Sequence, residues 1–259
     1  KGPDLGVPDI HLALYGHVIV FDHVWGEAFS IRLRETARYD PPPIPPRLSV
    51  PRNPRPIPPL EADAYIRSVE AAKDAIYEGE IFQVNLSHRQ RLQLPDSPVQ
   101  AYGRLRARTP STFGGYLDAG DHQVLSASPE RFLRIRGRDV ETRPIKGTRP
   151  RGRTPAEDRE LAQELLASEK DAAENVMIVD LERNDLGKVC EFGSVEVPVL
   201  RGLRSFPNVH HLESVVRGRL REEVSIPEVL RATFPGGSIT GAPKPRAMET
   251  IERLEPHRR

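Results

Sequence analysis

Cysteine is almost missing from this 259-residue sequence, where Cys190 stands alone. One thiol cannot close an intrachain disulfide, so a packed core must hold the fold, and a reducing, cytoplasmic setting is expected. Net charge is almost missing too. The 38 basic residues meet 37 acidic ones, for a formal charge of +1. That balance gives no extended footprint for nucleic acid. No apolar run approaches the roughly 20 residues of a membrane-crossing helix. No basic-then-apolar leader opens the chain, and a first residue of Lys1 raises the expectation that it begins inside a longer natural protein.

Proline, by contrast, is plentiful. Ten of the 26 prolines fall in residues 41–59, "PPPIPPRLSVPRNPRPIPP". Such a stretch supports neither helix nor inner strand and reads as an extended linker. It separates residues 1–40 from residues 60–259. Residues 12–36 alternate apolar and polar, which predicts two antiparallel strands turning near Gly26. After the linker, Ile66, Val69, Lys73 and Ile76 share one helical face, and Gly79 marks a stop. Phe82, Val84 and Leu86 alternate as a strand. Residues 113–147 read as three short strands joined by glycine turns. Thr154-Pro155-Ala156-Glu157 is a capping box that opens a helical stretch to Leu186, broken near Ser168, with Gly187 as its stop. Residues 194–200 alternate as a strand. Ser225-Ile226-Pro227-Glu228 opens a second capped helix to about Phe234, and Pro243–Leu254 reads as a third. Strands grouped before and between helices predict an α+β fold of antiparallel sheets layered with helices.

Five features carry candidate chemistry. Lys146 stands alone in an arginine-rich run, and lysine can lose a proton and attack carbon where arginine cannot. Asp171 and Glu174, three apart, share a helical face and could hold a hard cation through oxygen. Ile178 and Leu181 continue that face with apolar groups, which would turn the carboxylates inward. Glu130, after a proline at a strand start, could serve as a general acid. His210 and His211 point opposite ways on a strand, so one at most enters a given site. The loop "FPGGSITGAPK" leads into a helix with the backbone N–H groups that favour an anion, and its spacing is not that of a P-loop. Taken singly, each also fits a surface charge, an ion pair, a core histidine or an empty loop.

Taken in order, "IFQVNLS", "SPERF", "PIKGTRPRG", "KDAAENVMIVDLERNDLGKVC", "VHHLESVV" and "FPGGSITGAPKPRAMETIE" resemble the chorismate-utilising enzymes. That family includes anthranilate synthase and aminodeoxychorismate synthase components I and the isochorismate and salicylate synthases. The resemblance implies chorismate as substrate and Mg2+ as cofactor, with Glu174 as a metal ligand and Asp171 acting through water. It implies Glu130 as the acid for the departing C4 hydroxyl and His211 beside the enolpyruvyl side. Gly147, Thr148, Gly237, Ser238, Thr240 and Gly241 match positions lining the carboxylate sites, and Lys244 follows the same loop to help hold an anion. Relatives that add water carry a lysine where this sequence has Gln83, so ammonia is the implied nucleophile. The PIKGT form around Lys146 marks the aminodeoxychorismate branch, in which the lysine attacks ring C2; anthranilate synthases read PIAGT. The ammonia would come from a separate glutamine amidotransferase subunit, since Cys190 lies in no nucleophile elbow.

The family's motifs continue past "IERLEPHRR", so the chain is expected to be C-terminally incomplete, and its N-terminal part short. Three readings follow: an aminodeoxychorismate-forming enzyme, an anthranilate synthase that carries lysine, and an inert remnant that serves as partner or scaffold.

Overall fold

The computed structural model describes residues 6–7, 11, 13, 15–32, 55–56 and 62–259. The chain divides into a unit within Pro3–Pro51 and a unit that takes in Arg52–Arg259. In the first, β1 (His17–Asp22) and β2 (Glu27–Arg32) pair antiparallel, with His17 opposite Arg32 and Asp22 opposite Glu27. This is the expected hairpin. Asp22 Oδ1 closes its turn by accepting from the backbone of Val24 at 2.8 Å and Trp25 at 3.1 Å. Of the expected linker, only Arg55 and Pro56 lie within the described residues.

The second unit opens with β3 (Arg55–Pro56), α1 (Ala62–Tyr77), β4 (Gln83–Val84) and β5 (Leu92–Gln93). β3 pairs with β5. The buried face of α1 is not the predicted isoleucine face. Ala72 and Ala75 are buried, while Ile66 and Ile76 are exposed. Small side chains let a neighbour come close, and Ser68 Oγ on that flank donates to the Leu254 carbonyl at 3.3 Å. The strand expected over 82–86 shrinks to two residues, because its partner is the short strand of a glycine loop.

α2 (Pro98–Arg108), which the sequence reading passed over, starts at a Ser97 cap with proline in its first turn. Residues 113–150 then form five strands rather than three: β6 (Phe113–Asp118), β7 (Gln123–Ser128), β8 (Arg131–Arg136), β9 (Asp139–Arg143) and β10 (Ile145–Pro150). Glycine turns explain two of the breaks. Pro129 and Pro144 fall at the others, where the missing N–H interrupts a ladder. α3 (Pro155–Ala167) begins as predicted, with Thr154 Oγ1 accepting from Glu157 N. Ser168 ends α3 and caps α4 (Glu169–Gly187), accepting from Asp171 N at 3.2 Å.

β11 (Glu196–Ser205), β12 (Val209–Arg219), α5 (Ile226–Thr233), β13 (Gly241–Ala242) and α6 (Lys244–Leu254) complete the unit. β12 is the spine of the main sheet. One edge carries β10 and then β9; the other carries β11 along its length. β8 extends the sheet beyond β9. α4 and α5 cover it, and Val140, Val179, Leu186, Val216, Leu220 and Val229 fill the space between. The fold is α+β, as expected. α4 buries Asn175, Ile178, Glu182 and Asp185 on one face, so polar groups enter the layer that separates helix from sheet.

Candidate active site

Glu130 lies in the bend between β7 and β8, and Lys146 near the start of β10. The fold brings them together beside Ser238. Lys146 Nζ donates to the Ser238 carbonyl at 3.4 Å. Burial pushes the Glu130 carboxyl above the usual range, against the Ser238 side chain, the Ile145 backbone N–H and the Lys146 ammonium. Ser238 Oγ is buried without a well-aligned hydrogen bond, yet lies close enough to Glu130 to oppose that rise. A raised carboxyl beside an amine is the pairing that acid–base exchange needs.

The β10 backbone bulges at Gly147, where the register with β12 shifts between Lys146 and Thr148. Gly147 has φ +83°, and a methyl there would sit 2.9 Å from Leu165 Cδ1 and 3.1 Å from Asp171 Cβ. Glycine is therefore required on both counts. The bulge points the Gly147 carbonyl at His211. His211 Nδ1 lies 3.4 Å from that oxygen and 2.9 Å from Thr148 Oγ1. Burial holds the His211 ring below its usual value, which favours the neutral imidazole. His210 faces the other way, as alternation requires, between Ser205 Oγ at 2.8 Å and Asp158 Oδ1 at 3.0 Å.

Asp171 and Glu174 both leave the first turns of α4. Arg149 Nη2 stands 3.3 Å from Asp171, and Lys170 stands 4.0 Å from Glu174. Among the described residues, no group of three or more His, Cys, Asp or Glu could enclose a metal. Two carboxylates suit a hard cation that completes its shell with water and substrate oxygens. By that measure the donor set fits Mg2+, with Glu174 the freer of the two.

The 236–241 loop folds inward more than its glycines suggested. Thr240 Oγ1 donates to the Gly236 carbonyl at 2.9 Å, and the backbone N–H groups of Ile239 and Thr240 serve Gly236 and Gly237. Gly237 packs on α4, where a methyl would lie 2.9 Å from Leu181 Cδ2. Gly241, at φ +143°, passes so close to Gln83 that a methyl would strike its carbonyl oxygen at 2.1 Å. Gln83 thereby sits against the loop, and its Oε1 is buried without a hydrogen-bond partner. Lys244 departs from the anion-holding expectation. Its buried ammonium pairs with Asp185 and donates to the Thr233 carbonyl at 2.9 Å. A cation spent on a buried carboxylate is not free for substrate.

Sequence reading missed Glu182. It follows Asp171 by eleven residues and Ile178 by four, so helical spacing places it on the inward face already assigned to them. Thr142 Oγ1 donates to its Oε2 at 2.9 Å.

Among known proteins, the chain is 40% identical to aminodeoxychorismate synthase component 1 of Bacillus subtilis, over 99% of this chain and 58% of that protein. It is also 40% identical to anthranilate synthase component 1 of Methanothermobacter thermautotrophicus, over 96% of this chain and 54% of that one. The crystal structure of anthranilate synthase component I from Streptococcus pneumoniae TIGR4 superposes with a TM-score of 0.80 at 33% identity, covering 96% of this chain and 59% of that one. The chain thus spans a little over half the length of these relatives. Residues 1–259 match the chorismate binding enzyme family, and the chain belongs to it.

Proposed function

We propose that the protein aminates chorismate at C4, giving 4-amino-4-deoxychorismate, with ammonia delivered by a glutamine amidotransferase subunit. The observation that carries this reading is the placement of Lys146 beside a half-buried, raised Glu130. Lys146 Nζ attacks ring C2 while Glu130 protonates the C4 oxygen, and the C4–O bond breaks to release water. Ammonia then bonds to C4, the C2–N bond to Lys146 breaks, and the proton shed by the new amine restores the acid. Gln83 cannot take a proton from water, which favours ammonia. Neutral His211, fixed through Nδ1, is placed to orient the enolpyruvyl side. Gly147, Thr148, Ser238 and the turn at 237–241 shape the walls that receive the carboxylates. Mg2+, held by Glu174 and across water by Asp171, would neutralise the substrate's ring carboxylate.

Anthranilate formation is the second reading, since an anthranilate synthase component 1 is equally similar. The two separate by product. The protein, given chorismate, ammonia and Mg2+, should yield aminodeoxychorismate and no fluorescence of anthranilate. Anthranilate formed without an added lyase would overturn the proposal. Mg2+-dependent chorismate binding by the 259-residue chain distinguishes both from an inert scaffold. A separate lyase would be needed to take the product on to 4-aminobenzoate, the folate precursor.

A further inference from the structure

Arg151, Asp158, Ser205 and His210 form a polar cluster that this chemistry leaves unused. It lies where the chain leaving β10 meets the first turn of α3 and the tip of the β11–β12 hairpin. Arg151 Nε and Nη2 grip the two Asp158 carboxylate oxygens at 2.7 Å each. His210 Nε2 reaches the same carboxylate from β12 at 3.0 Å, with Ser205 Oγ on its Nδ1 at 2.8 Å. The Gly152 N–H donates to Asp158 Oδ1 at 2.8 Å. No larger residue fits at 152, where a methyl would meet Asp158 N at 2.1 Å. One carboxylate on α3 thus ties down both the segment after β10 and the hairpin.

The remaining donors of Arg151 reach the hairpin tip itself. Nη1 donates to the Phe206 carbonyl at 2.8 Å, and the backbone N–H donates to the Asn208 carbonyl at 3.2 Å. Phe206 N donates to the Val209 carbonyl at 2.8 Å and closes the turn. Asn208 Nδ2 donates to the Arg108 carbonyl at the end of α2, at 3.0 Å. A turn tied at so many points has one position. What it carries is the half-buried Phe206 ring, which meets the His211 ring edge-on, with centroids 5.7 Å apart and planes at 64°. Thr148 Oγ1 and the Gly147 carbonyl both hold His211 at Nδ1. A ring held at one atom can still swing about it, and Phe206 supplies the second point of support. That leaves Nε2 as the nitrogen to meet substrate.

We propose that Phe206 is a positioning residue for His211: its ring sets the plane in which the imidazole meets the enolpyruvyl side, and the clasp of Arg151, Asp158 and His210 holds Phe206 in place. The effect on turnover rests on the amination reading above; the hold on the ring does not.

The test is 15N NMR of the histidine-labelled protein at about pH 8.5, where a histidine is neutral, with His211 assigned through His211→Asn. In the wild type the two His211 ring nitrogens should resonate far apart, as a single tautomer requires. In Phe206→Leu they should move toward each other as the ring swings and the tautomers mix, and in Phe206→Tyr they should stay. Signals unmoved in Phe206→Leu overturn the positioning role. Arg151→Lys gives up the fork at the surface and should move the same signals the same way by a smaller amount; unmoved signals there remove the clasp. With chorismate and ammonia, Phe206→Leu should lower kcat at least about tenfold and leave KM within about threefold, while Phe206→Tyr keeps the wild-type rate. In a His211→Asn background, Phe206→Leu should lower kcat no further. An equal further loss shows Phe206 acting apart from His211 and overturns the role. Shifted nitrogens in a protein that makes no aminodeoxychorismate would sink the synthase reading and leave the hold on His211 standing.

Discussion

Replacing Glu182 by glutamine preserves the side chain's shape and its acceptor for Thr142, and removes only the titration. In the unfolded chain a glutamate ionises near about 4.3. In the folded protein burial pushes Glu182 up to about 8. Between those values the folded state holds one proton more than the unfolded state. Stability therefore falls as pH rises, by about 1.4 kcal/mol per unit. The contribution is whole below the unfolded value and lost once pH has passed the folded one. Across the window the loss is about 5 kcal/mol, and from about pH 5.5 to about pH 7.5 it is about 3 kcal/mol. Asp158 has the opposite sign. Arg151 holds it well below the usual carboxylate range, so its effect falls below about pH 4, outside the window. Groups remote from Glu182 cancel when the variant is subtracted from the wild type. The assay is urea unfolding of both proteins through the window, at constant m-value. The wild-type advantage over Glu182→Gln should shrink by about 2–3 kcal/mol between about pH 5.5 and about pH 7.5. Parallel stability curves would refute the reasoning, because a carboxyl that stays ionised on folding gives no such slope.

Three further outcomes follow from the site. Lys146→Ala should lower the amination rate by at least about 100-fold and leave chorismate affinity within a few-fold, measured by single-turnover kinetics and calorimetry. Unchanged turnover would remove the covalent role. Gly147→Ala should cost at least about 1–2 kcal/mol in chemical denaturation, because the residue lies at φ +83° against Leu165 and Asp171; a stability equal to wild type would contradict the bulge. Asp185→Asn should cost about 3–5 kcal/mol, since it leaves the Lys244 ammonium buried without its carboxylate. Pairing it with Lys244→Met should recover part of that loss, and a purely additive double variant would show that the two do not interact.

The parts of the fold that were legible in sequence are those written in local chemistry. Thr154-Pro155 and Ser225-Pro227-Glu228 name their helices because capping and proline act within one turn. The 17–32 hairpin follows from strict alternation. Less visible were features set by tertiary contact. Prolines 129 and 144 divide strands whose ends are fixed by distant partners, such as the Ser214 N–H bonded to the Pro144 carbonyl at 3.0 Å. The alanine face of α1 wins over the isoleucine face because close packing, not hydrophobicity alone, decides which side is covered. In the site, motif order placed Glu130, Lys146, His211 and the 236–241 loop in one region of the chain's chemistry. It could not say that Lys244 is consumed by Asp185, because a lysine's partner is a matter of three-dimensional neighbours. Glu182 was hidden differently: it lay in a run of charges, and only its spacing from Ile178 marked it as inward.

α4 shows why the buried polar groups sit where they do. Its inward face carries Asn175, Glu182 and Asp185, and each finds its partner on a different element. Ser214 on β12 donates to Asn175 at 2.6 Å, Thr142 on β9 donates to Glu182 at 2.9 Å, and Lys244 on α6 pairs with Asp185. An apolar stripe would hold the helix against the sheet as firmly but would tolerate a range of rotations and slides. Polar pairs do not. A turn of one residue, about 100°, would leave these groups buried and unpaired, at about 1–3 kcal/mol for each neutral one and more for the charged pair. The three pairs thus fix α4 in one register against β9, β12 and α6 at once. Asp171 and Glu174 leave the same helix, while Glu130, Lys146, His211 and Ser238 lie beside the elements it contacts. The rotation that satisfies the buried pairs is therefore the rotation that presents the two carboxylates, and the order of the site follows from the cost of burying polar groups unpaired.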